Sequence, residues 1–181
     1  MAEHIPSYSV IVPAYQAADT IGACLDALAH QTIPPEQYEV IVVDDGSTDG
    51  TGEIARQARV RVLSQHNQGP AAARNAGAQA ACGELLLFTD ADCRLDDDSF
   101  ERLLFPITAG QELAITGTFF PDNQHLSRPF IFSQAASQYY AVCHTPRYSS
   151  GLSGSNCAIE KAALLRSGGL QAEAPSGTDY T

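Results

Sequence analysis

Basic side chains are scarce in this sequence of 181 residues, and Lys161 is its only lysine. Ten lysines and arginines face 21 aspartates and glutamates, which leaves a formal net charge of −11. A chain of this charge repels polyphosphate backbones, which argues against DNA or RNA as a partner. Any phosphate that binds here must therefore be neutralised by a cation, by arginine or by backbone N–H groups.

Paired cysteines and metal-type histidine spacings are also missing. The five cysteines are odd in number and include no C-x-x-C pair, which disfavours a disulfide framework or a zinc site and predicts reduced, buried thiols in a cytoplasmic protein. The five histidines show neither H-x-H nor H-E-x-x-H spacing, so we interpret them as structural or exposed. The cysteines are Cys24, Cys82, Cys93, Cys143 and Cys157.

Long apolar runs are absent as well. The clean stretch from Leu85 to Phe88 is far too short to cross a bilayer, and no charged-then-apolar leader opens the chain. We therefore expect a soluble, cytoplasmic protein, with any contact to the cytoplasmic face of a membrane made by segments absent from this chain. Its apolar content of 44%, without internal repeats or a long linker, predicts one globular domain over residues 1–181.

The sequence does contain a regular alternation of strand-like and helix-like segments. This alternation predicts βαβ crossovers and a doubly wound α/β fold with a mostly parallel sheet flanked by helices. Strand 1 is expected to end at Pro13, and Asp19 is expected to cap helix 1. A weaker strand is expected to reach Phe119. The predicted strands are 8–12, 38–43, 60–63 and 84–89, and the helices that follow them are 21–28, 53–59, 70–81 and 99–105.

Polar side chains follow three of the predicted strands. Tyr15 follows strand 1, Asp44 and Asp45 follow strand 2, and Asp90 and Asp92 follow strand 4. Because open parallel sheets bind ligands outside the carboxyl ends of their strands, we expect these three strand ends to converge on one ligand.

The sharpest feature is the run Asp90-Ala91-Asp92. On an extended segment, residues two apart project to the same side, so both carboxylates would face one cation while Ala91 turns away. Oxygen-only ligation suits Mg²⁺ or Mn²⁺. The alternative is that these acids only cap the following helix, but the two other polar strand ends favour the cation.

Other known nucleotide-binding and metal-binding motifs do not fit this sequence. A calcium loop starting at Asp45 would have Arg56 where an EF-hand requires glutamate. The segment 50–55 matches the dinucleotide fingerprint by letter, but no acidic residue follows between Glu53 and Glu84 to bind a ribose. No GxxxxGK(S/T) run is present. Arg74 lies near the start of the predicted helix 70–81, which is lined with small residues, and its role is open between a solvated helix charge and a contact to a phosphate or an acid.

The chain resembles the family 2 glycosyltransferases of GT-A fold, in four motifs that stand in the expected order and spacing. Weaker likeness continues in 154–158 and 168–169, so the resemblance covers nearly the whole chain. The four motifs are Val10-Ile11-Val12-Pro13-Ala14-Tyr15, Val42-Val43-Asp44-Asp45-Gly46-Ser47-Thr48-Asp49-Gly50, the stretch from Asn67 to Gly77, and Phe88-Thr89-Asp90-Ala91-Asp92.

The resemblance implies the reaction and a set of site residues. The donor is a nucleoside diphosphate sugar, with a UDP-sugar favoured, and Mn²⁺ or Mg²⁺ is the cofactor. Asp92 would ligate the cation directly, Asp90 with Ala91 would face the ribose and phosphates, and Arg74 would lie at the nucleotide's edge. The residues implied to contact base and ribose are Pro13, Ala14, Tyr15, Asp44 and Asp45.

The same resemblance implies a catalytic base, Asp179, that deprotonates the acceptor hydroxyl so that transfer inverts the anomeric configuration. The sequence departs from the family pattern here, because Thr178 stands where an acidic residue is usual. Acceptor-binding elements normally follow the base, so we expect this chain to bind donor but to transfer sugar poorly. A saccharide, a lipid or a protein remains open as the acceptor.

Two other functions remain open. Nucleotidyl transfer to a sugar phosphate uses similar metal chemistry on a related fold, but it normally needs a glycine-rich N-terminal loop and lysines, which this sequence lacks. A non-catalytic nucleotide-binding module is the other alternative. The pair Asp90 and Asp92 weighs against it, whereas the missing acceptor region leaves it open.

Overall fold

The computed structural model describes residues 6–117 and 156–171. Strands and helices alternate through the first range, as the sequence predicts, and one more strand and helix lie in the second. The elements are β1 Tyr8–Ala14, α1 Ile21–Ala29, a 3-10 turn Pro35–Gln37, β2 Tyr38–Asp44, α2 Thr51–Gln57, β3 Arg61–Ser64, α3 Pro70–Ala80, β4 Leu85–Phe88, α4 Ser99–Thr108, β5 Ala114–Thr116, β6 Cys157–Glu160 and α5 Lys161–Arg166.

The described strands form a mixed six-stranded sheet in the order β3-β2-β1-β4-β6-β5. The first four pair in parallel, whereas β6 is antiparallel to β4 and β5 is antiparallel to β6. The predicted α/β fold with a mostly parallel sheet is therefore confirmed. The strand order reverses between β1 and β4, and ligands of such sheets bind outside the carboxyl ends of the strands at this reversal.

Two apolar layers cover the sheet, because successive strand side chains point to opposite faces. On one face α1 and α4 pack against the sheet, with Leu28 and Phe100 fully buried. On the other face α3 packs against Ile11 and Val43, which are also fully buried. Each such side chain contributes about 1.5–3 kcal/mol on burial. The layers hold the strand ends at fixed positions on both sides of the order reversal.

The small residues of α3 let this helix lie close to the sheet. Ala73 is fully buried, and a Cβ atom at Gly77 would lie 2.5 Å from Ile11 Cγ2. Any larger side chain at this position would push the helix away from β1. The close contact carries the first turn of α3, including Arg74, to the carboxyl edge of the sheet.

Pro13 does not end β1, and that prediction is wrong. The strand continues through Pro13 to Ala14, which pairs with Asp44 of β2. The Ile11 carbonyl accepts from the Thr89 N–H on the β4 side, so Pro13, two residues on, faces the same side. Since β4 ends at Phe88, the missing N–H of Pro13 removes no strand-pairing hydrogen bond.

Helix boundaries also differ from the prediction. Asp19 does not cap α1, which starts at Ile21 after Thr20 and has no side-chain cap. The loop before α1 is bonded instead to the loop after β2, where the Ala18 N–H donates to Asp49 Oδ2. Helix α4 continues through Pro106 to Thr108, since burial of Ile107 outweighs the hydrogen bond lost at the proline. The predicted reach of β5 to Phe119 lies outside the described residues.

Within the described part of the chain, every helix is too short or too polar to span a bilayer.

Candidate functional site

A cleft of about 620 Å³ opens at the carboxyl ends of β1, β2 and β4, where the strand order reverses. Eight of the residues predicted from sequence line it together, so the expected convergence of three strand ends is found. Asp44 is not among the lining residues, and Asp179 lies outside the described residues. The lining residues are Pro13, Ala14, Tyr15, Gln16, Ala17, Thr20, Asp45, Asn67, Gly69, Pro70, Ala73, Arg74, Asp90, Ala91 and Asp92.

The loop after β1 forms one wall of the cleft and presents Tyr15, whose side chain is 53% exposed. The next residue, Gln16, bonds to the loop after β2: its N–H donates to Ser47 Oγ at 3.0 Å, and its Oε1 accepts from Thr48 N–H at 2.8 Å. Asp49 Oδ2 accepts from the Ala18 N–H at 3.0 Å. These bonds join the two loops and hold the cleft wall in place.

Asp45 is 3% exposed, and its two oxygens fix the loop between β3 and α3. Oδ1 accepts from Gln65 Nε2 at 2.7 Å and from Gln68 N–H at 2.9 Å, while Oδ2 accepts from Gly69 N–H at 2.8 Å. The loop held in this way places Asn67 in the cleft wall. Asp45 thus shapes the site through the backbone as well as bordering it.

Asp44, its neighbour, has a different environment. Its carboxylate is buried beneath the first turn of α2, where Oδ1 accepts from the Ser47 N–H at 3.0 Å. A Cβ atom at Gly52 would lie 2.5 Å from the second oxygen, so glycine is needed there to admit the carboxylate. The structure therefore assigns Asp44 contacts within the loop after β2 and not in the cleft.

Arg74 crosses the cleft floor from α3 to the end of β4. Its Nη2 lies 2.5 Å from Asp90 Oδ1, and the two side chains are 13% and 33% exposed. This contact answers the question that the sequence left open, because Arg74 is an acid partner and not a solvated helix charge. The pair balances the charge of Asp90 and leaves its second oxygen outside the ion pair.

Asp90, Ala91, Asp92 and Cys93 form a turn, closed by a hydrogen bond of 3.1 Å from the Cys93 N–H to the Asp90 carbonyl. The extended geometry expected for Asp90-Ala91-Asp92 is therefore wrong. The turn nevertheless brings the carboxylates together: ligand atoms of Asp90, Asp92 and Cys93 all lie within 4.8 Å of one another. Ala91 is buried in the apolar layer while it borders the cleft.

The chemistry of this donor set fits a hard divalent cation. Burial, with Asp92 and Asp90 close by, raises the pKa of the Cys93 thiol to about 11. Protonated at neutral pH, the thiol donates to Asp92 Oδ1 at 3.7 Å. Within residues 6–117 and 156–171, no basic side chain is ion-paired with Asp92. The turn thus offers carboxylate oxygens and one uncompensated negative charge, as Mg²⁺ or Mn²⁺ requires.

Burial also keeps two other thiols protonated at neutral pH. Burial raises the pKa of both Cys24 and Cys157 to about 12. All four cysteines of the described ranges are free, but Cys82 is exposed and Cys93 is half-buried, so the prediction of burial is wrong for these two. Cys143 lies outside the described residues.

Sequence reasoning did not single out Asn67, Gln16, Ala17 or Thr20 as site residues. Asn67 stands at the start of a motif already recognised. Its position two residues before Gly69, which precedes α3, was an available signal. The residues after Tyr15 carry no such signal. They reach the cleft only because Gln16 adopts a positive φ of 50° and bonds to the neighbouring loop.

Proteins with similar sequences are named glycosyltransferases. Glycosyltransferase AglE of Haloferax volcanii is 43% identical over 108 residues, which are 56% of this chain and 36% of that protein. Glycosyltransferase GlyA of Streptococcus pneumoniae is 33% identical over 137 residues, or 73% of this chain and 19% of that protein. The chain thus spans well under half the length of these relatives.

Solved structures with this fold include a mannosyltransferase from Pyrobaculum calidifontis, PcManGT, determined in complex with GDP-Man and Mn²⁺. It matches 95% of this chain with a TM-score of 0.70 and 25% identity, over 49% of its own length. Residues 1–349 of Staphylococcus aureus TarS match 90% of this chain with a TM-score of 0.68 and 25% identity, again over 49% of that chain. The fold is therefore that of the GT-A glycosyltransferases.

The family model described as "Glycosyl transferase family 2" matches residues 9–169. This range includes β1, the loops that line the cleft, the acidic turn after β4 and the helix α5. The match thus covers every described residue of the candidate site. On this evidence the chain belongs to glycosyl transferase family 2.

Proposed function

We propose that this chain is the donor-binding part of an enzyme that transfers a sugar from a nucleoside diphosphate sugar to an acceptor hydroxyl, with inversion and with a divalent cation. The observation that carries the proposal is the single cleft in which Asp45, Arg74 and the turn of Asp90 and Asp92 meet. The mannosyltransferase complex with GDP-Man and Mn²⁺ supports this assignment, since its fold matches 95% of the chain.

The nucleoside would lie between the β1 loop and the loop before α3. Pro13, Ala14 and Tyr15 form one wall there and offer apolar and aromatic surface, while Asp45 and Asn67 border the opposite side with polar groups. A flat base packs on the first wall and forms hydrogen bonds to the second. A UDP-sugar remains our expected donor.

The diphosphate would lie over the acidic turn. Asp92 and the second oxygen of Asp90 would hold Mn²⁺ or Mg²⁺, and Arg74 keeps Asp90 in place through its ion pair. When bound, a divalent cation supplies positive charge that stabilises the departing diphosphate. This charge would add to that of Arg74, which is the only basic residue among the described residues that line the cleft.

Inversion follows from a single displacement. The acceptor oxygen forms a bond to the anomeric carbon as the bond from that carbon to the diphosphate breaks, and a carboxylate takes the hydroxyl proton. Asp179 is our proposed base, from the resemblance of its motif. The free thiols are consistent with a cytoplasmic site of action, which is part of the same proposal.

Calorimetry tests the proposal directly. UDP and GDP are titrated into the 181-residue chain with and without Mn²⁺, and we expect at least one nucleotide to bind more tightly with the cation. If neither nucleotide gains affinity from Mn²⁺ or Mg²⁺, the proposal is wrong. Binding without sugar transfer, in a longer protein that contains the segment after Thr181, would instead support the non-catalytic module.

A further inference from the structure

Gln31 lies just beyond the end of α1, and its side-chain amide bonds to three backbone groups. Nε2 donates to the Ala27 carbonyl at 3.1 Å and to the Asp96 carbonyl at 2.9 Å, and Oε1 accepts from the Phe100 N–H at 3.0 Å. The next residue, Thr32, donates its N–H to the Asp97 carbonyl at 2.7 Å. The end of α1 is therefore bonded to the loop that leads from the acidic turn into α4.

Gln31 also replaces the missing cap of α4. The first N–H groups of a helix need acceptors from outside the helix, yet Asp98, at the capping position, makes no side-chain cap hydrogen bond. Gln31 Oε1 supplies the acceptor for Phe100 from 69 residues away in sequence. A tertiary contact thus fixes where the loop after the acidic turn ends and the helix begins.

The same helix holds the front of this loop. Cys24 Sγ donates to the Asp90 carbonyl at 3.5 Å, and Cys24 precedes Gln31 by seven residues, or about two helical turns. Between these anchors Leu95 packs against the apolar layer. The segment from Asp90 to Phe100 is therefore held at its beginning by Cys24 of α1, in its middle by the apolar layer and at its end by Gln31, just beyond α1.

We propose that Gln31 is a positioning residue for the Asp92 carboxylate. Asp92 is exposed, and among the described residues its only side-chain hydrogen bond is the one from Cys93. Its position therefore depends on the backbone of its loop, and Gln31 holds the far end of that loop. The inference rests on the proposed function, since it assigns Gln31 a part in cation affinity.

The test compares three variants of the 181-residue chain. Gln31→Met keeps a similar volume but loses all three hydrogen bonds, and Gln31→Glu keeps an acceptor for Phe100 while it places a negative oxygen against the Asp96 carbonyl. Tyr38→Phe is the matched control. It removes one hydrogen bond at the same end of α1, from the Tyr38 hydroxyl to the Leu28 carbonyl at 2.9 Å, and keeps the ring that packs edge-on against Phe100.

Mn²⁺ binding is followed by the loss of the free-ion electron paramagnetic resonance signal in the presence of UDP, and UDP binding without metal by calorimetry. Removing groups that orient metal ligands typically lowers metal affinity about 10–100-fold, and since Gln31 acts through the backbone we expect a loss of roughly tenfold in both of its variants. Metal-free UDP affinity should change less than about twofold, and Tyr38→Phe should match the wild type in both measurements.

The outcomes separate this inference from the proposed function. If the wild type shows no Mn²⁺-dependent UDP binding, both are wrong. If the wild type binds and the Gln31 variants retain its Mn²⁺ affinity, or if Tyr38→Phe loses as much, only the positioning role is wrong. Circular dichroism checks that each variant folds. If Gln31→Met does not fold, the Mn²⁺ affinity of Gln31→Glu is compared with that of the wild type.

Discussion

The guanidinium of Arg74 forms an ion pair with the carboxylate of Asp90 across the cleft floor, 2.5 Å from Nη2 to Oδ1. The contact exists because α3 lies close to β1, where Gly77 leaves no side chain between helix and strand. It distinguishes two acids that look alike in sequence. Asp90 is compensated by the positive charge of Arg74, whereas Asp92 has no ion-pair partner among the described residues.

Replacing Arg74 should weaken nucleotide binding. Arg74→Met removes a charged hydrogen-bond donor at the end of the cleft where we propose that the diphosphate binds, and we expect UDP affinity with Mn²⁺ to fall about tenfold, or ~1.4 kcal/mol. Arg102→Met is the control, because Arg102 is ion-paired with Asp98 on α4 and does not line the cleft. Calorimetry measures both variants. Equal affinities for the two would contradict a role for Arg74 at the nucleotide.

Neutralising Asp92 should remove the effect of the cation on binding while leaving the fold unchanged. Asp92→Asn keeps the shape of the side chain and removes the uncompensated charge, so UDP should bind equally with and without Mn²⁺. Its midpoint of thermal unfolding should change little, because an exposed carboxylate contributes little to the core. Asp97→Asn removes the same charge from an exposed position outside the cleft, and it should retain the response to Mn²⁺. Unfolding of Asp92→Asn would indicate a structural role instead.

Acid should destabilise the protein in part through Glu39, which lies at the opposite edge of the sheet. Burial alone raises the pKa of this carboxyl, but the Cys82 N–H, the Ser9 hydroxyl and Arg61 outweigh burial and hold the pKa below its ordinary value. Because the folded-state pKa is depressed, the stabilisation is complete above the unfolded pKa of about 4.3 and is lost as pH falls through the folded value.

Glu39→Gln tests this dependence, since glutamine does not titrate. Urea denaturation between about pH 6 and about pH 3 should show a smaller loss of unfolding free energy for Glu39→Gln than for the wild type. Nucleotide affinity at neutral pH should stay unchanged, because Glu39 does not line the cleft. If the unfolding free energies of the two proteins fall equally as the pH is lowered, Glu39 does not cause the loss of stability in acid.

A side chain should cost more stability at one of the two glycines after α5 than at the other. Gly168 and Gly169 both have positive φ, at 88° and 86°, so alanine costs roughly 1–2 kcal/mol of backbone strain at either position. A Cβ at Gly169 would also lie 2.8 Å from Asn75 Oδ1, whereas nothing lies within 4 Å of one at Gly168. Asn75 needs its position, because its amide donates to the Leu170 carbonyl and accepts from the Leu170 N–H.

Gly169→Ala should therefore lower the free energy of unfolding by at least about 1 kcal/mol more than Gly168→Ala. Denaturant unfolding of the two variants measures this difference, with backbone strain common to both. Equal losses of unfolding free energy would mean that the Asn75 side chain moves to admit the methyl group without cost, and the prediction would be wrong.

Much of the fold follows from local pattern. The apolar run from Leu85 to Phe88 and the small residues of α3 predict a buried parallel strand and a closely packed helix, and both are found. Element ends were less predictable. Pro13 continues β1 because its missing N–H faces the side where β4 has already ended, and this depends on the register between strands.

The candidate site likewise has features that the sequence predicts and features that it does not. Asp44 and Asp45 are adjacent and chemically identical, yet one is buried under α2 and the other holds the loop before α3. Successive residues at a strand end point in opposite directions, so sequence places both acids at the edge and does not say which one reaches the cleft. The acidic turn after β4 was likewise predicted to be extended, because its closing hydrogen bond is invisible in a residue pattern.

The amino-acid sequence by itself determined the α/β alternation, the polar strand ends, the acidic pair and the shortage of lysine. These features depend on residue type and on short-range spacing. Only the tertiary structure decided that Arg74 pairs with Asp90 and that Gln31 anchors the acidic loop. Those contacts join residues 16 and 65 positions apart, and they form only when packing of α3 and α1 against the sheet brings distant backbone segments within hydrogen-bond range.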